Sequence, residues 1–322
     1  MADLKIEKLD TGSYTKFISE NSPSDPYSLP EFIRAYRESF GVSVEMLGIV
    51  RSESRVATCA LFTGKRLHQP VIKLMPIRAY DGLQFRNLDD SKSQKQEYDR
   101  LAIMQVLGDF LKREFGFYQM IFPPGILDVR SFQWAGATVI PQYTYIIDLQ
   151  RFTPENYTKS LREVLRGSID RGLVYGECKV GDLVGLNQLS YERHGRKPPV
   201  NPDVLKTLLE KLDSSGLLRT RCVRNQAGKI VAGLTSLVTK MGTYFYVSGT
   251  DASAEKGASH LLYDGILKEE KDSGKAFVDF CGANSPSINL FKSAFGPGLK
   301  VYFKVWRANS TLARLASYVK KF

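Results

Sequence analysis

A chain of 322 residues exceeds the usual size of one compact domain, and 43% hydrophobic against 25% charged residues is enough apolar mass for two cores. The sequence holds no uncharged apolar run of membrane-spanning length, and the opening MADLKIEKLD lacks the apolar stretch and cleavage site of a signal peptide, so a cytoplasmic location is expected. A formal net charge of +11, from 45 Lys and Arg against 34 Asp and Glu, favours polyanionic partners without choosing among cofactor phosphates, RNA and an anionic membrane face.

Strand-like and helix-like patterns alternate from end to end, which predicts an α/β chain. The first half opens with a strand at 4–9 and helices near 14–20 and 29–39. Alternating strands follow at 44–50, 55–62 and 71–74, then an irregular loop, MPIRAYDGLQF. A helix over 94–114 carries a broad apolar face that includes Leu101, Met104, Leu107 and Leu111. A strand at 117–122, a short helix after Pro124 and a strand at 138–149 close a lobe expected to span 1–150.

The second half, 151–322, repeats that order loosely, which suggests a duplication although no residue-level repeat stands out. Helices are expected at 154–171, 180–194 and 202–212, and strands at 218–224, 230–239 and 243–249. The loop TDASAEKGAS feeds a helix at 260–270, followed by a strand at 276–280, a helix at 287–294 and a strand at 301–306. The segment Thr311–Phe322 has apolar residues on one face and basic ones elsewhere, which reads as packing on the second lobe or as contact with an anionic membrane. The cysteines Cys59, Cys178, Cys222 and Cys281 and the histidines His68, His194 and His260 show no metal-ligand spacing, so no metal is expected.

From Ile230 onward the blocks VAGLTSLV, TYFYVSGTD, EKGASHLLYDGIL, AFVDFCG, INLFKSAFG and VYFKVW follow one another with short spacers. In this order they resemble the C-terminal lobe of the Fem-type peptidoglycan-bridge aminoacyltransferases, within the wider N-acetyltransferase (GNAT) superfamily. Upstream, TYIIDL and SLREVLRGSIDRGLVYG are similar to a further family segment through Arg166, Ile169 and Arg171, with Gly172 in place of the usual Ala. SYERHGRKPP also resembles the family. So does Tyr80-Asp81-Gly82-Leu83, where Asp81 replaces a glycine. The long coiled-coil arm of some bridge-forming members is not evident.

The resemblance implies two tandem GNAT-like lobes, each a mixed, mainly antiparallel sheet flanked by helices. It implies transfer of an acyl or aminoacyl group to an amine, with acyl-CoA or aminoacyl-tRNA as co-substrate and no tightly bound cofactor. The donor's pyrophosphate is expected at a helix N-terminus, where unpaired N–H groups and the dipole favour negative charge. Lys256, Gly257, Ala258 and Ser259 are the candidates, with a plain N-cap at Ser259 as the alternative. Arg166 is the candidate grip on a substrate phosphate, since a guanidinium binds two oxygens in one plane. Asp279 and His194 are candidate acid–base residues, Asp279 alternatively capping its turn. Tyr80, Asp81, Tyr246 and Lys292 are candidates for the substrate wall. The acceptor would be nucleotide- or lipid-linked, which would place the protein at the inner face of the membrane. A fold-retaining, inactive binding module and a nucleic-acid binder remain the competing readings.

Overall fold

The computed structural model describes residues 4–21, 25–66, 68–72, 75–86, 93–193 and 195–309. His194 and the segment Thr311–Phe322 lie outside these residues. In chain order the elements are β1 (Leu4–Leu9), α1 (Thr11–Glu20), α2 (Pro30–Phe40), β2 (Ser43–Arg51), β3 (Ser54–Arg66), β4 (Gln69–Ile72), β5 (Leu83–Phe85), α3 (Ser93–Glu114), β6 (Phe117–Phe122), α4 (Arg130–Trp134) and β7 (Thr138–Asp148). There follow α5 (Lys159–Asp170), β8 (Val174–Glu177), α6 (Val180–Glu192), α7 (Pro202–Ser214), β9 (Leu218–Arg224), β10 (Ile230–Val238), β11 (Gly242–Thr250), α8 (Ala258–Asp272), β12 (Phe277–Asp279), α9 (Pro286–Ser293) and β13 (Gly298–Ala308).

The chain forms two compact units, one of Met1–Gln142 with Val301–Phe322, the other of Tyr143–Lys300. The divisions fall inside β7 and β13. The boundary expected at Gln150 lies two residues past the end of β7 at Asp148.

In the first unit the strands follow the order β1-β2-β3-β4-β6-β13, with β5 added beside β3. The pairs are antiparallel except β4 with β6. The core joins Leu47, Ile49 and Leu61 of the sheet to Met104, Leu107 and Leu111 of α3 and to Phe132 of α4. Those α3 residues recur at helical spacing, which is why the sequence pattern is legible there.

In the second unit the order is β7-β12-β11-β10-β9-β8, antiparallel except β11 with β12. Burial alternates along the start of β9. Leu218, Thr220 and Cys222 are buried, while Arg219 and Arg221 reach Glu270 and Glu269 of α8 at 2.5 Å. The helix α8 therefore covers one face. The opposite face carries α6, whose Leu183 and Leu186 lie against Gly233 of β10.

Element order explains the duplication. The run β1-α1-α2-β2-β3-β4-α3-β6-α4-β7 is matched by β8-α6-α7-β9-β10-β11-α8-β12-α9-β13, with β5 and α5 as additions. The closing strand of each repeat pairs with the other repeat's sheet: Phe277–Asp279 pairs with Asp148–Ile146 of β7, and β13 pairs with β6.

The helix expected over 154–171 is divided. Pro154–Asn156 makes one 3-10 turn, Tyr157 is extended and buried, and Thr158 caps α5 by accepting the Leu161 N–H at 3.3 Å. The strands β5 and β8 lie in segments that read as irregular or helix-flanking, since three or four residues hold too little alternation to see.

Candidate active site

The parallel pairing of β11 with β12 covers only Gly242–Tyr244 against Phe277–Asp279. Beyond it β11 runs on to Thr250 along β10, whereas β12 turns away along β7 through Phe280 N–H to Tyr145 O at 2.9 Å. The two strands diverge. Thr235 faces Val247 but Ser236 faces Phe245, so Tyr246 is the extra residue of a β-bulge beside the divergence. Tyr246 is half-buried.

The chain leaves β12 through a tight polar turn. Cys281 takes φ +51°, a left-handed conformation that strains a residue with a Cβ, and Gly282 follows at +92°. Three side chains hold it. Asp279, 1% exposed, accepts the Cys281 N–H at 2.8 Å and the Thr144 hydroxyl at 2.6 Å. Thr144 in turn accepts the Gly282 N–H at 3.0 Å. The Lys292 ammonium donates to the carbonyls of Phe280 at 2.5 Å, Gly282 at 2.7 Å and Cys281 at 3.5 Å. Burial pulls the Lys292 pKa below 10.5, against the opposing pull of Cys281 and Asp279. Asp279 thus takes the turn-capping position, and Lys292 braces the same turn.

Behind the turn, Phe245, Tyr263, Phe280, Phe291 and Phe295 pack ring on ring at 4.7–5.9 Å. His260, in the first turn of α8, stands 4.7 Å from Phe291, and burial followed by the Lys256 charge lowers its pKa from 6.5.

The helix α8 begins after Gly257, at φ +99°, with no side chain capping its first N–H groups. Ser259 lies inside the first turn, where its hydroxyl meets that of Thr250 at 3.0 Å. A Cβ on Gly257 would collide with Ser168 Oγ and Val164 of α5. This glycine is required by the close approach of α5 as well as by its backbone angle. Lys256 is exposed, and its carbonyl accepts Arg171 Nη2 at 2.5 Å.

Val164, Ser168 and Arg171 share the side of α5 that meets this loop. Arg166, two positions from Val164 and so about 200° around the helix, is on the opposite side and exposed. The structure brings Arg171, not Arg166, to the Lys256–Ser259 loop.

Tyr80 and Asp81 belong to the first unit. Tyr80 is buried edge-on between Tyr27 and Tyr302. Asp81 pairs with Arg78 at 2.6 Å and accepts the Ile121 N–H at 2.5 Å; burial raises its pKa against the pull of Arg78. A Cβ on Gly82 would fall 2.6 Å from the Ser28 backbone, which accounts for the glycine in that loop.

The residue that sequence reasoning passes over is Thr144. It stands between Tyr143 and Tyr145 in a strand that also carries Thr138 and Gln142, so its residue type alone does not single it out. Among the described residues no group of three or more His, Cys, Asp or Glu is placed to hold a metal ion, and no helix is long and apolar enough to cross a membrane.

Residues 158–292 match the family model for the acetyltransferase (GNAT) domain. A comparison with curated proteins finds no match. Among solved structures, the crystal structure of FemX is similar over 93% of this chain and 96% of that one, with a TM-score of 0.65 and 12% identity. The structure of L-PGS from Bacillus licheniformis is similar over 97% and 96%, with a TM-score of 0.59 and 15% identity. A tandem GNAT protein from the clavulanic acid biosynthesis pathway is similar over 96% and 99%, with a TM-score of 0.54 and 10% identity. Residues 158–292, which hold the diverging strands and the uncapped α8, thus carry an acyltransferase domain of the GNAT type. The chain's fold, two GNAT-like lobes in tandem, is the Fem-like one.

Proposed function

We propose that the protein moves an acyl or aminoacyl group from a CoA thioester or an aminoacyl-tRNA onto the amine of a cell-envelope precursor. The observation that carries this reading is the divergence of β11 from β12 next to the uncapped start of α8. A donor lying in the divergence would pair its amides along β11 beyond Tyr244. Its phosphates would meet the first N–H groups of α8, with Lys256 adding positive charge. Arg171 holds the loop in shape through the Lys256 carbonyl.

In the reaction the acceptor nitrogen attacks the donor carbonyl carbon, and the carbon–sulfur bond of the thioester, or the carbon–oxygen bond of the ester, breaks. The thiolate or alkoxide leaves with the proton that the amine loses. Asp279 and Lys292 act through the turn at the mouth of the divergence, and the Tyr246 bulge shapes the opposite strand. Such chemistry rests largely on positioning. Arg166, on the outward side of α5, is left for a phosphate of a nucleotide- or lipid-linked acceptor, whereas Tyr80 and Asp81 are taken up by packing and pairing within the first unit. Such an acceptor would bring the protein to the inner membrane face.

Calorimetry with acetyl-CoA, a long-chain acyl-CoA and a charged tRNA tests the donor. One donor is expected to bind saturably and to lose about tenfold in affinity in Lys256→Ala, equivalent to about 1.4 kcal/mol. A steep fall in affinity with salt identifies the tRNA, a shallow one the CoA thioester. Saturable binding without turnover on any amine would make the protein a binding module. Silence with all three donors would remove the reading.

A further inference from the structure

Two of the four cysteines come together at the edge of the second unit's sheet. The strand β8 ends the strand order and pairs with β9 in a register that sets Gly176 opposite Cys222 and Glu177 opposite Arg221. Cys178 is the next residue, in the two-residue link from β8 to α6. Side chains two apart along a strand share a face, so Cys178 continues the face of Gly176 and lies diagonal to Cys222. Gly176, directly opposite Cys222, has no side chain to come between the two sulfurs.

The contacts agree with the register. The Cys222 thiol donates to the Glu177 carbonyl, the one joined to the Cys178 nitrogen, at 3.4 Å. The two thiols are themselves hydrogen-bonded. Arg224 donates to the same Glu177 carbonyl at 3.2 Å and brings a positive charge close. The Cys178 thiol and then Arg224 favour a thiolate at Cys222, drawing its pKa below 9.0 against the cost of burial.

The two sulfurs differ in access. Cys222 is fully buried, whereas Cys178 is half-buried and lines a cavity of about 750 Å³. Cys178 is therefore the one that a small reagent meets first.

We infer that Cys178 and Cys222 are a reversible dithiol–disulfide pair at the start of α6, closed by a low-molecular-weight disulfide. Proton exchange across the thiol–thiol hydrogen bond puts the thiolate on Cys178, whose sulfur attacks one sulfur of the oxidant. The oxidant's S–S bond breaks, and one small thiolate leaves and is protonated. Cys222 then gives up its proton and attacks the Cys178 sulfur, and the second small thiol leaves. Two protein thiols are oxidised and one disulfide is reduced to two thiols, so the exchange balances. Diagonal neighbours have Cα atoms about 7–8 Å apart and a disulfide holds them at about 5.5–6 Å, so closure draws the link toward β9. Lys179, the N-cap of α6, moves with it. The strain of closure keeps the bond easily reduced. The inference does not depend on the proposed donor.

The test is incubation of the folded full chain with oxidised glutathione, followed by thiol titration, peptide mapping by mass spectrometry and amide shifts. Two of the four thiols are expected to disappear, with Cys178 and Cys222 recovered in one linked pair of peptides. The amides of Lys179, Val180 and Gly181 should shift, and excess reduced glutathione should restore both thiols. Cys222→Ala should stop at glutathione attached to Cys178, and Cys178→Ala should slow the loss of the Cys222 thiol by about tenfold or more. The proposal is overturned if neither thiol reacts or if Cys178 of the unaltered chain retains glutathione. It is equally overturned if the link forms only in urea that unfolds the chain, or if Cys178→Ala leaves the oxidation of Cys222 unchanged.

Discussion

Replacing Lys292 with Met lowers the stability of the second unit by about 2–4 kcal/mol, read as a shifted urea midpoint, and weakens donor binding with it. Methionine is close to lysine in length and volume, so the substitution removes the charge with little loss of packing. What is lost is an ammonium, 8% exposed, that serves the carbonyls of Phe280, Cys281 and Gly282 together. Those carbonyls belong to the turn in which Cys281 is held at φ +51°, and their remaining braces are Thr144 and Asp279. The pH dependence has a defined sign. Because the folded-state pKa of Lys292 is below 10.5, the unfolded chain binds more protons between the two values, and stability from this group rises with pH across that window. The Met variant lacks that rise.

Substituting Gly249 with Val costs about 3 kcal/mol, at the upper end for overpacking, because the obstacle is backbone rather than a side chain that can rotate. A Cβ at Gly249 would run into the α6 backbone at Leu186 and Asn187. The register pairs Gly249 with Gly233, which lies under Leu183 and Leu186, so the two glycines form one shallow seat for the helix. Lifting α6 would also break the bond from Asn187 Nδ2 to the Ser248 carbonyl at 2.8 Å. Gly185→Ala, in the same helix but with nothing within 4 Å of the added Cβ, serves as the control and should be neutral or stabilising by up to about 1 kcal/mol. Thermal or urea unfolding of the two variants decides the point.

These glycines show what is legible in the sequence and at which level. The blocks VAGLTSLV and YFYVSGTD mark the fold, yet nothing in them separates a glycine that seats a helix from one that admits a ligand. The distinction depends on which element crosses above. Gly257 is the same case, since its missing Cβ makes room for α5. Most strands and helices can be read from periodicity, because residues such as Met104, Leu107 and Leu111 on α3 recur at the spacing of their own element. The pairing of the closing strands cannot. That β7 pairs with β12 and β13 with β6 is a fact of distant partners, and a strand's own pattern is the same whichever sheet it joins.

Site residues are legible by type more than by role. Asp279, Lys292 and Tyr246 all border the divergence, but the sequence does not show that the first two are engaged by one turn or that the third is a bulge. Arg166 and Arg171 stand in the same matched segment, and only the phase of α5 against Gly257 tells which one reaches the loop. Thr144, which links Asp279 to Gly282, requires knowing that β7 lies beside β12.

The central claim is that an acyl donor lies between β11 and β12 with its phosphates at the start of α8. The most direct measurement is a titration of isotope-labelled protein with the donor that binds, following backbone amide shifts. The account predicts saturable shifts concentrated in Tyr246–Thr250 and Gly257–His260, with the α7 amides unmoved. Saturable binding that leaves both segments unmoved would contradict it.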